Sequence, residues 1–275
     1  MRGQGSGSRP ALGYSDPTVA HAFRDLSGKE LDGQLAAEVP VALVYNGRPH
    51  VVMMCTPADL EDFAVGFTVT EGIAAAADIR RTDVVKYARG IEVQVEITPA
   101  AADALASRGR QLTGRTGCGL CGVETIGEAL REVRPVSSSL RLTTSAIARA
   151  GKALGERQPL NAGTHAIHAA AWCDAAGEPQ VVREDVGRHN ALDKTLGALV
   201  REGRAAHEGF VVVTSRASYE LVQKVAIANI PLLAAVSRPT ALAVQLATDA
   251  GITLVGLLRG ESANVYTHPG RLRSN

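Results

Sequence analysis

Three apolar runs in the last third of the chain end in the same way. Residues 210–214 lead into Ser215-Arg216, residues 232–236 into Ser237-Arg238, and residues 252–258 into Arg259-Gly260. The arginines recur at nearly constant spacing, and residues 219–227 and 240–249 between them carry helical apolar patterns. That is one strand and one helix per step. Right-handed crossovers make such strands parallel neighbours, so their C-terminal ends share one rim, where open α/β sheets bind ligands. Helices starting just past Arg216 and Arg238 aim backbone N–H groups and positive dipole ends at that rim. The spacing therefore predicts an anion site built from Arg216, Arg238 and Arg259, with pyrophosphate as its natural guest. Ser215 and Ser237 are placed to cap the helices and touch phosphate.

The rest of the C-terminal half continues the alternation. Residues 166–173 and 180–184 read as strands around Gly177-Glu178-Pro179, and residues 144–154 and 190–201 as helices. Upstream, apolar runs at 39–44 and 50–55 are joined by Asn46-Gly47, a strong hairpin signal. Thr56-Pro57 then predicts a helix with Thr56 as N-cap and Pro57 in its first turn. Residues 83–87 and 91–97 form a second strand pair at Arg89-Gly90, and a short helix is expected over 124–133. These patterns divide the chain into a disordered tail and lead-in (1–37), an N-terminal α+β domain (38–136) and a C-terminal α/β domain (137–275), α+β overall.

The net charge is +1. No global field favours nucleic acid or a membrane surface, so anion recognition has to be local. No apolar run is long enough to span a bilayer, and residues 1–16 lack the apolar stretch of a signal peptide. Four cysteines in 275 residues are too few for a disulfide scaffold. A reducing cytoplasmic location is expected.

Two of those cysteines form Cys118-Gly119-Leu120-Cys121, in a loop (107–122) rich in glycine and arginine. A CxxC pair can be half of a zinc site, a redox pair, or a nucleophilic thiol with a helper. A thioredoxin-like pair wants a strand directly before it; here an Arg/Gly-rich loop precedes it. Zinc needs two more ligands. His165 and His168, or Cys55 or Cys173, could supply them, but odd spacing in a strand puts the two histidines on opposite faces. The deaminase zinc signature is missing, because Gly117 rather than proline precedes Cys118. The carrier reading fits best. Arg108, Arg110 and Arg115 beside the pair favour thiolate over thiol, and the thiolate is the species that accepts and passes on persulfide sulfur. Cys118 is expected to bear the sulfur with Cys121 assisting, and Cys55 and Cys173 to be buried core thiols.

With these residues in view, the chain resembles the formate dehydrogenase accessory sulfurtransferases, the FdhD family, over nearly everything from Val39 to Leu272. The carriers of the resemblance are Gly66-Phe67-Thr68-Val69-Thr70-Glu71-Gly72, the Cys118/Cys121 pair and Gly163-Thr164-His165. The long run Glu184-Asp185-Val186-Gly187-Arg188-His189-Asn190-Ala191-Leu192-Asp193-Lys194 follows, then Ser215-Arg216-Ala217-Ser218-Tyr219-Glu220 and Asn264-Val265-Tyr266-Thr267. The resemblance implies sulfur taken from a cysteine desulfurase as a persulfide. It is delivered to molybdenum or tungsten in bis(molybdopterin guanine dinucleotide), with GDP as an analogue of the nucleotide end, on behalf of formate dehydrogenase. It further implies a homodimer and a cytidine-deaminase-like three-layer α/β/α domain. The guanine dinucleotide end is implied to lie near Leu257, Leu258, Arg259, Gly260, Glu261, Ser262, Ala263 and Asn264. Relatives often carry an aromatic and a basic residue where this chain has Leu257 or Leu258 and Glu261-Ser262; the acidic Glu261 would weaken phosphate contact or bond the guanine edge instead.

Arg188 and His189 follow Gly187 at a further strand-to-helix turn and are expected to touch the cofactor, with helix capping by Asp185 and Asn190 as the plainer alternative. His165 is a cofactor contact or a hydrogen-bonded strand histidine, and Tyr266 a stacking platform or a core residue. Asp193 and Lys194 are expected on a solvated helix face or at a dimer contact. The competing function is a guanine-nucleotide- or cofactor-binding chaperone whose CxxC only holds structural zinc.

Overall fold

A computed structural model describes residues 16–110 and 133–274 of the chain. The CxxC loop and the helix expected over 124–133 lie outside the described residues, apart from the ends of those spans.

Residues up to 37 were expected as a disordered tail and lead-in, yet strands β1 (Thr18–Arg24) and β2 (Glu30–Ala36) pair antiparallel from Thr18↔Ala36 to Arg24↔Glu30. Their alternation is too poor in apolar residues to read as a strand signal. The turn depends on Asp25, whose carboxylate accepts from the Ser27 and Lys29 N–H groups, and on Gly28 at φ 87°.

The hairpin of β3 (Val39–Tyr45) and β4 (Arg48–Cys55) closes at Asn46-Gly47 with φ 47° and 76°. Positive φ at both positions matches the strand twist. β5 (Ile79–Tyr87) and β6 (Gly90–Ile97) complete a sheet of order β4-β3-β6-β5, in which β3 and β6 run parallel. Alternate residues Val39, Val41, Leu43, Val93 and Val95 pack beneath helix α1 (Leu60–Thr70) through Leu60, Phe63 and Ala64. Helix α2 (Pro99–Arg110) follows.

Helix α1 begins three residues later than Thr56-Pro57 predicts, after Asp59 at φ 52°, and Thr56 does not cap it. The groups of Thr56 are spent elsewhere. Its N–H donates to Asp185 Oδ2 at 3.0 Å, its hydroxyl accepts from the Val186 N–H at 3.1 Å, and its carbonyl accepts from Lys194 Nζ at 3.0 Å.

The C-terminal half holds β7 (Leu142–Thr143), α3 (Thr144–Glu156), α4 (Pro159–Thr164), β8 (His168–Cys173), β9 (Pro179–Asp185), α5 (Arg188–Arg201), β10 (Phe210–Val213), α6 (Tyr219–Ile227), β11 (Leu232–Ala235), α7 (Ala241–Asp249), β12 (Thr253–Arg259), β13 (Ser262–Val265) and β14 (Leu272–Arg273). Six of these strands form a sheet of order β13-β12-β11-β10-β8-β9. β10, β11 and β12 are parallel neighbours, as their spacing predicts. One face is covered by α5, α6 and α7, the other by α3.

Helix α5 lies between this sheet and α1, and its two sides are covered differently. Toward α1 the backbones almost touch. A Cβ on Gly66 would come within 1.8 Å of the Asp193 carbonyl oxygen, and one on Gly197 within 1.8 Å of the Asp62 carbonyl oxygen. Asp193 and Lys194 are therefore not on a solvated face, contrary to the expectation: they are 1% and 0% exposed. Lys194 pairs with Asp185 at 2.7 Å, and Asp193 with Lys224 at 3.0 Å. Lys224 also meets Glu71 at 2.7 Å and lies over the Phe67 ring. Burial works against its charge, but Asp193 and Glu71 outweigh it and hold the ammonium above its ordinary range. Asp62, at 5% side-chain exposure, is gripped by Arg183 and Arg201.

Candidate functional site

The strand directions decide which side chains share a rim. β8 runs antiparallel to both of its neighbours, β10 and β9. β9 consequently points the same way as β10, β11 and β12, and four strands rather than three end at one edge. Each exit carries an arginine: Arg188 after β9, Arg216 after β10, Arg238 after β11 and Arg259 at the end of β12. Arg216, Arg238 and Arg259 are exposed and Arg188 half-buried. Helices α5, α6 and α7 begin at the first three exits, so three sets of unpaired N–H groups face the same edge. Because β8 and β13 run the other way, their N-terminal residues His168 and Ser262 reach this rim too.

The serines play other parts than predicted. Ser215 is buried and donates to its neighbour's carbonyl at Arg216, while the N-cap position of α6 falls to Ser218. Thr240, not Ser237, caps α7, accepting from the Ala243 N–H at 3.2 Å. In both cases the helix starts three residues past the arginine. The Ser237 carbonyl accepts from the Leu257 N–H at 3.2 Å, tying the third exit to the fourth.

Between residues 257 and 264 the chain makes an irregular turn. Leu257 adopts φ 55°, a left-handed conformation that costs a bulky side chain about 1–2 kcal/mol. The pairing of β12 with β13 shifts register between Gly256 and Arg259. The consequence is a split: Leu258 turns into the core against Gly151, while Arg259, Gly260, Glu261, Ser262, Ala263 and Asn264 are exposed. A Cβ on Gly256 would meet Pro239 Cδ at 2.8 Å, Tyr266 Cε2 at 3.0 Å and the Ser237 oxygen at 3.1 Å, so Tyr266 packs beside the third exit.

At the first exit the capping and functional expectations separate by residue. Asp185 accepts from the Gly187 N–H at 2.8 Å and from Asn190 Nδ2 at 3.0 Å, and Asn190 also donates to the Met54 carbonyl. Asp185 thus braces the turn, but no side chain of the described residues caps α5: Gly187 holds the N-cap position and the Asn190 amide only donates. Arg188 is left over, its Nε buried without a hydrogen-bond partner among the described residues. His189 Nε2 lies 3.6 Å from Glu220 Oε2 and 3.5 Å from Ser218 Oγ. The neighbouring His189 imidazole holds the Glu220 carboxyl down at about 2, against the opposing effect of burial. His168 stands beside them, its Nδ1 3.5 Å from Thr214 Oγ1. Burial, then the charges of Arg188 and His189, push the His168 imidazole below its ordinary range.

His168, Thr214, Ser218 and Glu220 join this site beyond the residues that the sequence pattern assigns to it. The signal lay in Ser215-Arg216-Ala217-Ser218-Tyr219-Glu220, where the polar residues continue into the first turn of the helix. His165 is not in a strand: it ends α4 at φ 52° and is exposed, so the opposite-face argument about His165 and His168 does not apply. Cys118 and Cys121 lie outside the described residues. Cys55 and Cys173 are fully buried, and burial pushes the Cys173 thiol up to about 12.

A cleft of about 400 Å³ lies elsewhere, between the β3–β4 turn and α2, lined by Tyr45, Asn46, Arg48, His50, Pro99 and Asp103 among others. None of the predicted site residues lines it. The rim, though open, is where four cationic strand exits and an unsatisfied guanidinium Nε converge, and it is the better candidate for binding an anion.

Comparison with known proteins places the chain in a family. The model of the FdhD/NarQ family matches residues 36–273. A protein of Xanthomonas euvesicatoria pv. vesicatoria named sulfur carrier protein FdhD is 56% identical over 239 residues, covering 86% of this chain and 85% of the relative. A protein of the same name from Bordetella bronchiseptica is 52% identical over 239 residues, covering 86% of this chain and 87% of the relative. A crystal structure from Desulfotalea psychrophila, described as a formate dehydrogenase accessory protein, superposes with a TM-score of 0.73 at 29% identity. It covers 93% of this chain and 98% of the other.

Proposed function

The chain belongs to the FdhD/NarQ family, and from that premise we propose that it is a sulfur carrier of the sulfurtransferase type, serving the maturation of formate dehydrogenase. Cys118 takes the terminal sulfur of a cysteine desulfurase persulfide. Its thiolate attacks that sulfur, the bond to the desulfurase cysteine breaks, and the desulfurase thiolate leaves. Cys121 assists. Attack of its thiolate on Cys118 Sγ releases the carried atom as sulfide and leaves a Cys118–Cys121 disulfide, so the two cysteines supply the two electrons.

The acceptor is molybdenum or tungsten in a bis(molybdopterin guanine dinucleotide) substrate. The observation that carries this reading is the rim: one arginine at each of four strand exits, three helix N-termini, and a buried Arg188 Nε with no partner among the described residues. A diphosphate supplies the oxygens such donors lack. Arg188, Arg216, Arg238 and Arg259 would hold the phosphates, with Ser215, Ser237, His165, His189 and the segment from Leu257 to Asn264 around the nucleotide. We further assign the C-terminal half to the cytidine-deaminase-like architecture, and the working state to a cytoplasmic homodimer. None of the described helices is long and apolar enough to cross a membrane.

Incubation with a cysteine desulfurase and cysteine is expected to add one sulfur, about 32 Da, to the peptide holding Cys118 and Cys121. Cys118→Ala should abolish the adduct and Cys173→Ala should keep it. A wild-type protein that gains no sulfur but holds stoichiometric zinc, lost in Cys118→Ala, would overturn this reading in favour of the zinc-bearing chaperone.

A further inference from the structure

Glu220 is out of place in a rim that collects anions. A carboxylate among cationic strand exits weakens the field felt by a phosphate, and Glu220 is not buried away from it, at 26% side-chain exposure. What sets it apart is its contact. Glu220 is the second residue of α6 and His189 the second residue of α5, and the 3.6 Å gap from Glu220 Oε2 to His189 Nε2 bridges the first turns of two helices that both open onto the rim. Ser218 Oγ approaches the same ring nitrogen at 3.5 Å. The charged and titratable groups around the ring are Arg188 on its own helix, His168 at the start of β8 and Glu220 itself.

We propose that Glu220 is a positioning residue that acts through His189. By pairing with the Nε2–H of the imidazolium form, in which both ring nitrogens donate, it fixes the ring orientation and presents the Nδ1–H, alongside the Arg188 Nε that no described residue pairs, as a donor pair for a phosphate oxygen. This rests on the reading of the rim as the nucleotide site and deepens it. A carboxylate that orients an imidazole through one nitrogen sets what the other nitrogen can do. The dyad joins the β9 exit, through His189, to the β10 exit, through Glu220, on either side of the antiparallel β8. There it would serve one end of the phosphate chain, while Arg216 and Arg238 serve the next exits.

The idea separates from simple electrostatics by sign. If Glu220 acts only as a negative charge, Glu220→Gln tightens GDP binding. If it acts through His189, Glu220→Gln weakens GDP binding about five- to tenfold, the loss of one charge-assisted hydrogen bond. The experiment is calorimetric titration of the full chain with GDP for wild type, Glu220→Gln, His189→Gln and the double variant. The expected result is that each single change weakens binding and that the double is no weaker than His189→Gln alone. A second measurement uses only the wild type: in the ¹⁵N spectrum of the His189 ring, GDP should move the Nδ1 resonance more than Nε2. Tighter or unchanged binding in Glu220→Gln, additive losses in the double variant, or an Nδ1 signal indifferent to GDP would overturn the proposal while leaving the rim intact. A wild type that does not bind GDP would take the rim reading down with it.

Discussion

Gly197→Ala is expected to destabilise the fold by about 3 kcal/mol or more, the upper range for forcing volume into a packed interface. In an exposed helix the same change is favourable by up to about 1 kcal/mol, because alanine is the better helix former. Position decides which effect wins. At Gly197 the new methyl carbon lands 1.8 Å from the Asp62 carbonyl oxygen and 2.7 Å from the Gly66 nitrogen. Both are backbone atoms, so no rotamer change relieves the contact, and α1 and α5 have to separate. Separation breaks the grip of Arg183 and Arg201 on Asp62 and opens the seam that buries Asp193, Lys194 and Lys224. Gly66→Ala meets the Asp193 carbonyl at the same 1.8 Å and should cost as much. Gly155 in α3 has no described residue within 4 Å of its would-be methyl, so Gly155→Ala should be neutral or slightly stabilising. Urea denaturation of the three variants checks this. A Gly197→Ala protein as stable as Gly155→Ala would show that the two helices do not cross so closely.

Asp185→Ala is the second large effect, expected at about 3–5 kcal/mol, the cost of stranding a buried charge. Asp185 and Lys194 are each 0% exposed and 2.7 Å apart. Asp185 also accepts from the Thr56 N–H, the Gly187 N–H and Asn190 Nδ2. Removing it leaves an interior ammonium without its counter-ion and three donors without their acceptor. Lys194→Met should be milder, because Asp185 keeps those three donors while methionine fills the space of the lysine stem. The order of the two variants in chemical denaturation is the check; equal losses, or a loss below about 1 kcal/mol in Asp185→Ala, would mean the pair is not desolvated as described. Asp185 also holds the turn into Arg188 and His189, so the same variant should loosen the first exit of the rim. The buried pair thereby connects stability to the site.

How much of this could be read from the sequence depends on how local each signal is. The exits at Arg216, Arg238 and Arg259 were legible, because each belongs to one strand–helix unit and the units repeat. The exit at Arg188 was recognised as a strand-to-helix turn but not as part of the same edge. Its place there depends on β8 running antiparallel between β9 and β10, a pairing across some forty residues that no local pattern specifies. Asp193 and Lys194 were misplaced for a related reason. A charged pair on a helix reads as a solvated face unless a second layer is known to cover it, and that layer is α1, more than a hundred residues upstream. A signal was available in Gly66 and Gly197, since a glycine inside a helix costs stability and so points to close backbone approach. Thr56 failed as a cap because its groups bind Asp185, Val186 and Lys194, contacts that helix-start rules cannot anticipate. The β1–β2 hairpin was missed because it offers little apolar surface, and β1 is mostly exposed.

The central claim is that the phosphates of a nucleotide-bearing substrate bind the shared rim of β9, β10, β11 and β12. Amide hydrogen exchange of the full chain with and without GDP tests it most directly. The account predicts slower exchange at residues 186–189, 215–219 and 237–241, the three turns where helices open onto that edge. Protection confined instead to residues 45–50 and 99–106, around the cleft between the β3–β4 turn and α2, would contradict it.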